Sequence, residues 1–353
     1  MNILFASDIC CARVIKEGIA LINNGHQVAF LQRRIANPDM QYVLPAMVAY
    51  QGHAQYSAKL KNFSNIDIIH VHNEPSWLGY VAKEARPDLP VVFDAHDLCA
   101  VRDNEIVEDE IRSLALCDGI IYPSKGYRDF VRDQLPRLCS DDQAFEAHQA
   151  IRAGNNPSEI IYSMCNEYML DLLQPLPRVN GIVYQGGVSP FMDHRDYREI
   201  SKYLAGARIP FHIYGTDMEY AAEYIATGAV YMPTLPYLDL MRNLTRYDWG
   251  LCGCPISHPQ WENAMPNKLF EYIAAGIPVI VINAAECAEF VMKHELGVVV
   301  DSINAIPRIY DRHEKYRERV AEKRREFTME SQVPKILALY EEVKNREESD
   351  AGR

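Results

Sequence analysis

The amino-acid sequence predicts two doubly wound α/β domains in tandem. Three observations carry that expectation. The 353 residues exceed what one hydrophobic core usually organises, about 150 residues per domain being the norm. Short continuous apolar runs alternate with helical patterns, as strands buried on both faces of a parallel sheet require. The alternation then restarts after PLPRVN (175–180), whose two prolines and asparagine suit a linker.

The opening NILFA is read as a strand. A polar loop follows, then a helical stretch ending at Asn24-Gly25, and then the strand HQVAFLQ. Gly25 supplies the left-handed stop after that helix. IDIIHVH (66–72), PVVFDAH (90–96), GIIYPS (119–124) and EIIYSM (159–164) are the next strands, with EDEIRSLALC and GYRDFVRDQL among the helices between them. In the second half GIVYQGG (181–187), FHIYG (211–215), AVYMP (229–233), WGLCG (249–253), PVIVI (278–282) and GVVVD (297–301) read as strands. DYREISKYL and LDLMRNLTRY read as helices. The stretch 34–63 is irregular; its Tyr42, Tyr50, His53 and Tyr56 suit sugar stacking or ordinary packing, packing being favoured. Residues 308–344 are helical and locally basic, which fits a solvated face laced with i,i+4 ion pairs, favoured over an acceptor-docking surface. The polar tail 346–353 reads as disordered.

Composition narrows the function. Apolar residues make up 48% and charged residues 24%, ordinary for a globular chain. The longest apolar runs fall far short of the ~20 residues that span a bilayer. The opening MNILFASDICC lacks a basic n-region and is read as a buried strand, not a signal peptide. A net charge of −12 argues against nucleic acid as a partner and against strong docking on anionic lipid, leaving open only a weak membrane-surface contact. Nine cysteines, scattered and without zinc-site spacing, read as reduced thiols in a cytoplasm.

Ligands of open α/β sheets collect beyond the carboxyl ends of the strands. In the first half those loops hold Ser7-Asp8, His72-Asn73-Glu74, His96-Asp97 and Ser124-Lys125. In the second half they hold Gln185-Gly186-Gly187, Gly215-Thr216-Asp217, Thr234-Leu235-Pro236 and the run from His258 to Lys268. The two sets are expected to face each other across a cleft. The most informative stretch is NAMPNKLFEYIAAGIPVIVI (263–282). Pro266 suits the first turn of a helix and Gly276 its end. Asn267 and Lys268 then sit at the amino end, where amide donors and a lysine make an anion site for which diphosphate is the natural guest. Glu271, one turn further in, is placed to accept hydrogen bonds from the vicinal hydroxyls of a ribose; a surface helix residue is the alternative.

PNKLFEYIAAGIPVI resembles the donor-site segment of GT-B glycosyltransferases, in particular the large retaining, family 4-like group. NILFA…GIALINNGHQVAF, IDIIHVHN, VVFDAHDL, CDGIIYPSKG, GIVYQGGV, FHIYGTD and FTMESQVPKILALYEEV extend the resemblance along nearly the whole chain. It implies a Rossmann-like acceptor domain over 1–175 and a Rossmann-like nucleotide-sugar donor domain over 176–330. A terminal helix over 331–345 would return to pack on the first domain. It further implies that Glu271 binds the donor ribose and that amides around Asn267, Lys268 and Leu269 lie near the diphosphate. The helix dipole and Lys268 would support the leaving group without a metal or other cofactor.

His96 matches the family's histidine near the transferred sugar. It would orient the sugar in a retaining enzyme, while in an inverting one it or Asp97 would be the general base. Gly187, Gly215, Thr234 and Pro236 complete the expected donor contacts; Asp8, His72 and Glu74 are the acceptor candidates. The sequence also departs from the family. Asn263 stands where the Glu-x7-Glu pattern has its first glutamate, and SDICC (7–11) replaces a glycine-rich turn. Arg195 is the nearest basic residue to the missing arginine after Gly187. His70 and His72 share a strand face, for which packing is favoured over metal ligation.

The favoured reading is a cytoplasmic glycosyltransferase moving a sugar from a nucleoside-diphosphate donor to a hydroxyl of a saccharide or glycolipid acceptor, with retention and without a metal. A nucleotide-sugar epimerase or hydrolase of the same fold, and a non-catalytic sugar-nucleotide binder, are the alternatives.

Overall fold

A computed structural model of the chain describes residues 1–34, 47–103, 105–138 and 156–351. Two compact units emerge, Met1–Ser163 with Met329–Arg353, and Met164–Thr328. The first contains β1 (Asn2–Ile9), β2 (Gln27–Arg34), β3 (Met47–Ala49), β4 (Ile68–His72), β5 (Val91–Asp94), β6 (Gly119–Tyr122) and β7 (Ser158–Ile160). All pair in parallel, in the order β3-β2-β1-β4-β5-β6-β7. The second contains β8 (Ile182–Gln185), β9 (Phe211–Tyr214), β10 (Val230–Met232), β11 (Trp249–Gly253), β12 (Val279–Ile282) and β13 (Gly297–Val299). Their order is β10-β9-β8-β11-β12-β13, again all parallel. Each sheet reverses its winding once, between β1 and β4 and between β8 and β11, and such a switch point opens a crevice at the strands' carboxyl ends.

The first core is closed by the end of the chain. Met329, Val333, Ile336, Leu339, Tyr340 and Val343 pack with Ile3, Phe5, Val92 and Ile121. The spacing 333, 336, 340, 343 lays one stripe of the helix Val333–Ala351 onto the sheet. Each such buried side chain contributes about 1.5–3 kcal/mol. That helix runs on to Ala351, past residue 345 where the sequence reading ended it. Glu342 and Arg346 pair at 2.8 Å along its surface, one of the i,i+4 contacts that favour helix over coil.

Two other differences affect the site. β1 continues through Asp8, where a polar loop was expected after Ala6. The 34–63 stretch is not irregular in its described part: it carries β3 and the helix Gly52–Asn62. Tyr50 and Tyr56 are fully buried there, while His53 stacks on Trp77 with ring centres 3.7 Å apart. Tyr42 lies outside the described residues. No helix among those described is long and apolar enough to cross a membrane.

Candidate active site

The second unit brings a group of the expected donor residues together. Pro266 precedes the helix Asn267–Ala274, standing at its cap one place earlier than expected. The Leu269 N–H, expected near a diphosphate, donates to the Pro266 carbonyl at 3.1 Å, so that amide is already committed. Leu269, Phe270, Ile273 and Ala274 are buried against the sheet, which turns the adjoining face towards β8. Glu271 therefore points inward and is 7% exposed. Its Oε2 accepts from Gln185 Nε2 at 2.5 Å and its Oε1 from the Tyr237 hydroxyl at 3.1 Å.

Lys268 reaches the same strand end. Its Nζ lies 3.9 Å from the ring centre of Tyr184 and 5.0 Å from that of Trp261, a cation held against two aromatic faces. Gly186, at φ +122, leaves room for it: a Cβ there would stand 3.2 Å from Nζ. The next residue, Gly187, is similarly close to Arg195, whose Nη1 would be 3.2 Å from an added Cβ, with Thr216 Oγ1 at 3.8 Å. Gly215 follows β9, where any side chain would collide with Tyr231, and Thr234 Oγ1 donates to the Gly215 carbonyl at 3.4 Å. Pro236 is exposed at the cap of the helix Tyr237–Leu244. Asn267 is exposed at the start of its own helix. Asn263 ends the short helix Pro259–Asn263 and donates from Nδ2 to the Pro259 carbonyl at 2.8 Å. Glu262, one place before Asn263, is occupied by the Ser257 hydroxyl.

The first unit gathers the remaining candidates at the ends of β1, β4 and β5. The register sets His72 beside Asp94. Asn73 ties the two loops: its Oδ1 accepts the N–H groups of His96 and Asp97 at 3.1 Å each, and its Nδ2 donates to the Asp97 carbonyl at 2.7 Å. Arg102 Nη1 bridges Glu74 at 2.5 Å and Asp97 at 2.9 Å. Burial, and next the charge of Glu74, raise the Asp97 pKa against the opposing pull of Arg102. Asp8 is buried and paired with Arg33, whose Nη2 donates to Oδ2 at 2.8 Å. His72, expected as an acceptor contact, is fully buried and stacks on His70 at 4.5 Å. A ring with no exposed surface has no face to offer an acceptor, so it belongs to the interior.

That interior is a buried polar cluster. Arg13 Nε donates to Asp94 Oδ2 at 2.7 Å and sits 3.0 Å from Glu17 Oε1; Arg13 Nη1 donates to the Ile161 carbonyl. Arg13, with His70 and His96, holds the Asp94 carboxylate well below the usual range against the opposing effect of burial. Burial drives Glu17 well above it. Burial pushes both His70 and His72 down, and His70 Nδ1 meets the Tyr340 hydroxyl at 2.6 Å. Glu17, His70, His72 and Asp94 offer ligand atoms within 4.8 Å of one another, a spacing that suits a metal ion. The donor set fits one poorly, because the Arg13 guanidinium already places a cation on both carboxylates. His96, at the rim, is 15% exposed. Burial lowers its pKa, but its contacts with Asp94 and Cys11 outweigh this and lift it to about 10.

Sequence reasoning missed Gln185 and Tyr237 as partners of Glu271, Tyr184 and Trp261 around Lys268, and, in the first unit, Arg102, Arg13 and the part Asn73 plays in tying two loops together. Gln185 carried a usable signal, being the last strand residue before a Gly-Gly turn. The others are set by contacts between distant segments. Two cavities of about 380 and 630 Å³ lie elsewhere, one beside Met292 and Tyr316, the other at the amino ends of β1 and β2. Neither includes a candidate site residue.

Known proteins resemble this chain in sequence and in fold. Residues 18–138 match the Glycosyltransferase Family 4 model, and residues 190–328 match the model of the Glucosyltransferase 3-like, C-terminal domain. Glucosyltransferase 3 of Streptococcus gordonii is 35% identical over 85 residues, 24% of this chain. The match spans 25% of that relative's length. A glycosyltransferase from Rickettsia africae superposes with TM-score 0.68 at 12% identity, covering 97% of this chain and 98% of the other. Sucrose-phosphate synthase from Thermosynechococcus elongatus superposes with TM-score 0.64 at 17% identity, covering 97% and 99%. Anabaena HepE, solved with UDP and glucose, gives 0.62 at 12% identity, covering 99% and 100%. The chain thus has the GT-B fold and resembles the family 4 glycosyltransferases in its first unit and the glucosyltransferase 3-like proteins in its second.

Proposed function

We propose that this chain is a glycosyltransferase that moves a sugar from a nucleoside-diphosphate sugar to an acceptor hydroxyl, with retention and without a metal. The single observation that carries this reading is the convergence of Glu271, Lys268, Gln185 and Gly186 at the start of one helix. A buried carboxylate there can accept the two ribose hydroxyls, while helix amides and a lysine beside it attract diphosphate. Arg195, close to Gly187 and Thr216, adds a second cation for the same phosphates. Gly215, Thr234 and Pro236 form the neighbouring wall, and Asn263 and Asn267 border the anion site. UDP in the structural neighbours and the glucosyltransferase 3-like match make a UDP-linked glucose the first donor to try.

The chemistry asked of the protein is positioning and electrostatic support for a departing diphosphate. Lys268 is suited to that task, since its aromatic cage holds the ammonium in place before any ligand arrives. His96 with a pKa of about 10 is protonated at neutral pH. As an imidazolium it cannot accept a proton, which favours the orienting role over the general base of an inverting reaction. Asp97 and Glu74, joined by Arg102, and Asp8 with Arg33 are the polar groups left for a saccharide or glycolipid acceptor. A reducing, cytoplasmic setting fits the eight described cysteines, all of them free thiols.

A thermal-shift series with nucleoside diphosphates and their sugar conjugates tests the donor class. NMR of the anomeric product then distinguishes transfer with retention from inversion. Stabilisation by a nucleoside diphosphate supports the donor site; no response to any of them removes it.

A further inference from the structure

We infer that Cys11 is a covalent-modification site, a nucleophilic cysteine paired with His96 and open to small electrophiles, of which hydrogen peroxide is the simplest. The inference stands on the first unit alone and is independent of sugar transfer. Cys11 Sγ lies 3.9 Å from His96 Nε2. The other ring nitrogen, Nδ1, lies 3.5 Å from Asp94 Oδ1, and Asp94 Oδ2 is anchored by Arg13 Nε at 2.7 Å. Sulfur, imidazole, carboxylate and guanidinium therefore follow one another in succession, in the roles that an activated cysteine requires.

Further observations point to the same use. Asp94 is completely buried, and its Oδ1, which makes no hydrogen bond among the described residues, lies 3.5 Å from the imidazole Nδ1. Cys11 caps the twelve-residue helix Ala12–Asn23, where the positive end of the dipole favours a thiolate. It is partly exposed, whereas Cys10, Cys117, Cys165, Cys252, Cys254 and Cys287 are buried. The titratable groups that interact with the pair are Cys10 beside it, Arg13 and Glu17 on its own helix, His70 and His72 on β4, Asp94 on β5 and Asp97 next to His96. Burial opposes ionisation of Cys11, but His96 and the N–H groups of Val14 and Arg13 outweigh it and lower the pKa. Burial raises Cys10 and Cys99 to about 11 and Cys254 to about 12.

With peroxide, the Cys11 sulfur attacks one oxygen, an S–O bond forms and the O–O bond breaks. The departing hydroxide takes the proton from His96 Nε2 and leaves as water. Sulfur loses two electrons, peroxide gains them, and a sulfenic acid remains. The product no longer offers His96 a thiolate, so modification resets the charge of the imidazole at the rim.

The test treats the intact protein with limiting iodoacetamide, and separately with hydrogen peroxide and dimedone, and reads each cysteine peptide by mass spectrometry. An ordinary thiol is only a few per cent ionised at neutral pH, and the lower nucleophilicity of a low-pKa sulfur offsets part of the gain. Cys11 is therefore expected to react about tenfold faster than Cys10 or Cys99 at pH 7. Its alkylation rate should level off at a lower pH than that of Cys99. His96→Gln should slow it about tenfold and restore a rate that climbs with pH. Should that variant unfold, the pH profile of the unaltered protein decides alone. Reaction of Cys11 at the pace of Cys99, or a rate that levels off at no lower pH than that of Cys99, overturns the proposal.

Discussion

The Gln185 side-chain amide donates to Glu271 Oε2 at 2.5 Å, so the end of β8 and the helix Asn267–Ala274 meet at one carboxylate. Gln185 is thereby a positioning residue for the proposed ribose contact. Gln185→Ala leaves Glu271 with Tyr237 as its remaining donor of these two, and a lost bond to a charged group is worth about 1.5–3 kcal/mol. UDP affinity, by calorimetry, should fall about tenfold. Unchanged affinity would detach Gln185 from the site.

Among the described residues Lys268 is held by aromatic faces rather than by a carboxylate bridge. Lys268→Met keeps a stem that can pack on Tyr184 and Trp261 while removing the charge. The melting temperature should move by no more than a few degrees. Affinity for UDP should drop about tenfold or more, and the salt dependence of binding should become shallower. Equal salt dependence in both proteins would show that Lys268 does not meet the phosphates.

Gly186 carries φ +122 and approaches Lys268 closely. Gly186→Ala imposes a backbone conformation that costs about 1–3 kcal/mol and pushes a methyl towards Nζ. A lower urea midpoint together with weaker UDP binding is expected. A stability loss with unaltered binding would mean that Lys268 adjusts without consequence.

The His96–Asp94 contact makes stability depend on pH in a defined way. His96 has a folded pKa of about 10, above an unfolded value of roughly 6.5. Its contribution is therefore complete below about pH 6.5 and is lost as pH rises through 10. Asp94 is depressed, so its contribution is present above about pH 4 and disappears on acidification below that. The gap in urea midpoint between the unaltered protein and His96→Gln should narrow steadily from pH 6.5 to 10. A constant gap would remove the charged contact.

The fold was legible because its strands are continuous apolar runs such as VVFD and VIVI, bounded by loops that break the pattern. β3 escaped notice because Pro45 interrupts the apolar run VLPAMVAY that holds its residues, Met47–Ala49. The helix at Asn267 was legible from Pro266 and Gly276, and Glu271 from its place one turn in. Gln185 and Tyr237 were not, because 86 and 34 residues of chain separate them from Glu271 and only the fold closes those gaps. The same holds for Arg13, whose partner Asp94 lies 81 residues away. His72 misled for a related reason: alternation along β4 gives its face but not what covers it, and Asp94, His70 and Phe5 fill that space.

The most direct measurement is calorimetric titration of UDP into the unaltered protein and into Glu271→Ala, with melting curves of both. Binding that falls tenfold or more in the variant, with the fold retained, is the result expected if Glu271 holds the ribose. Equal binding in a folded variant would contradict it.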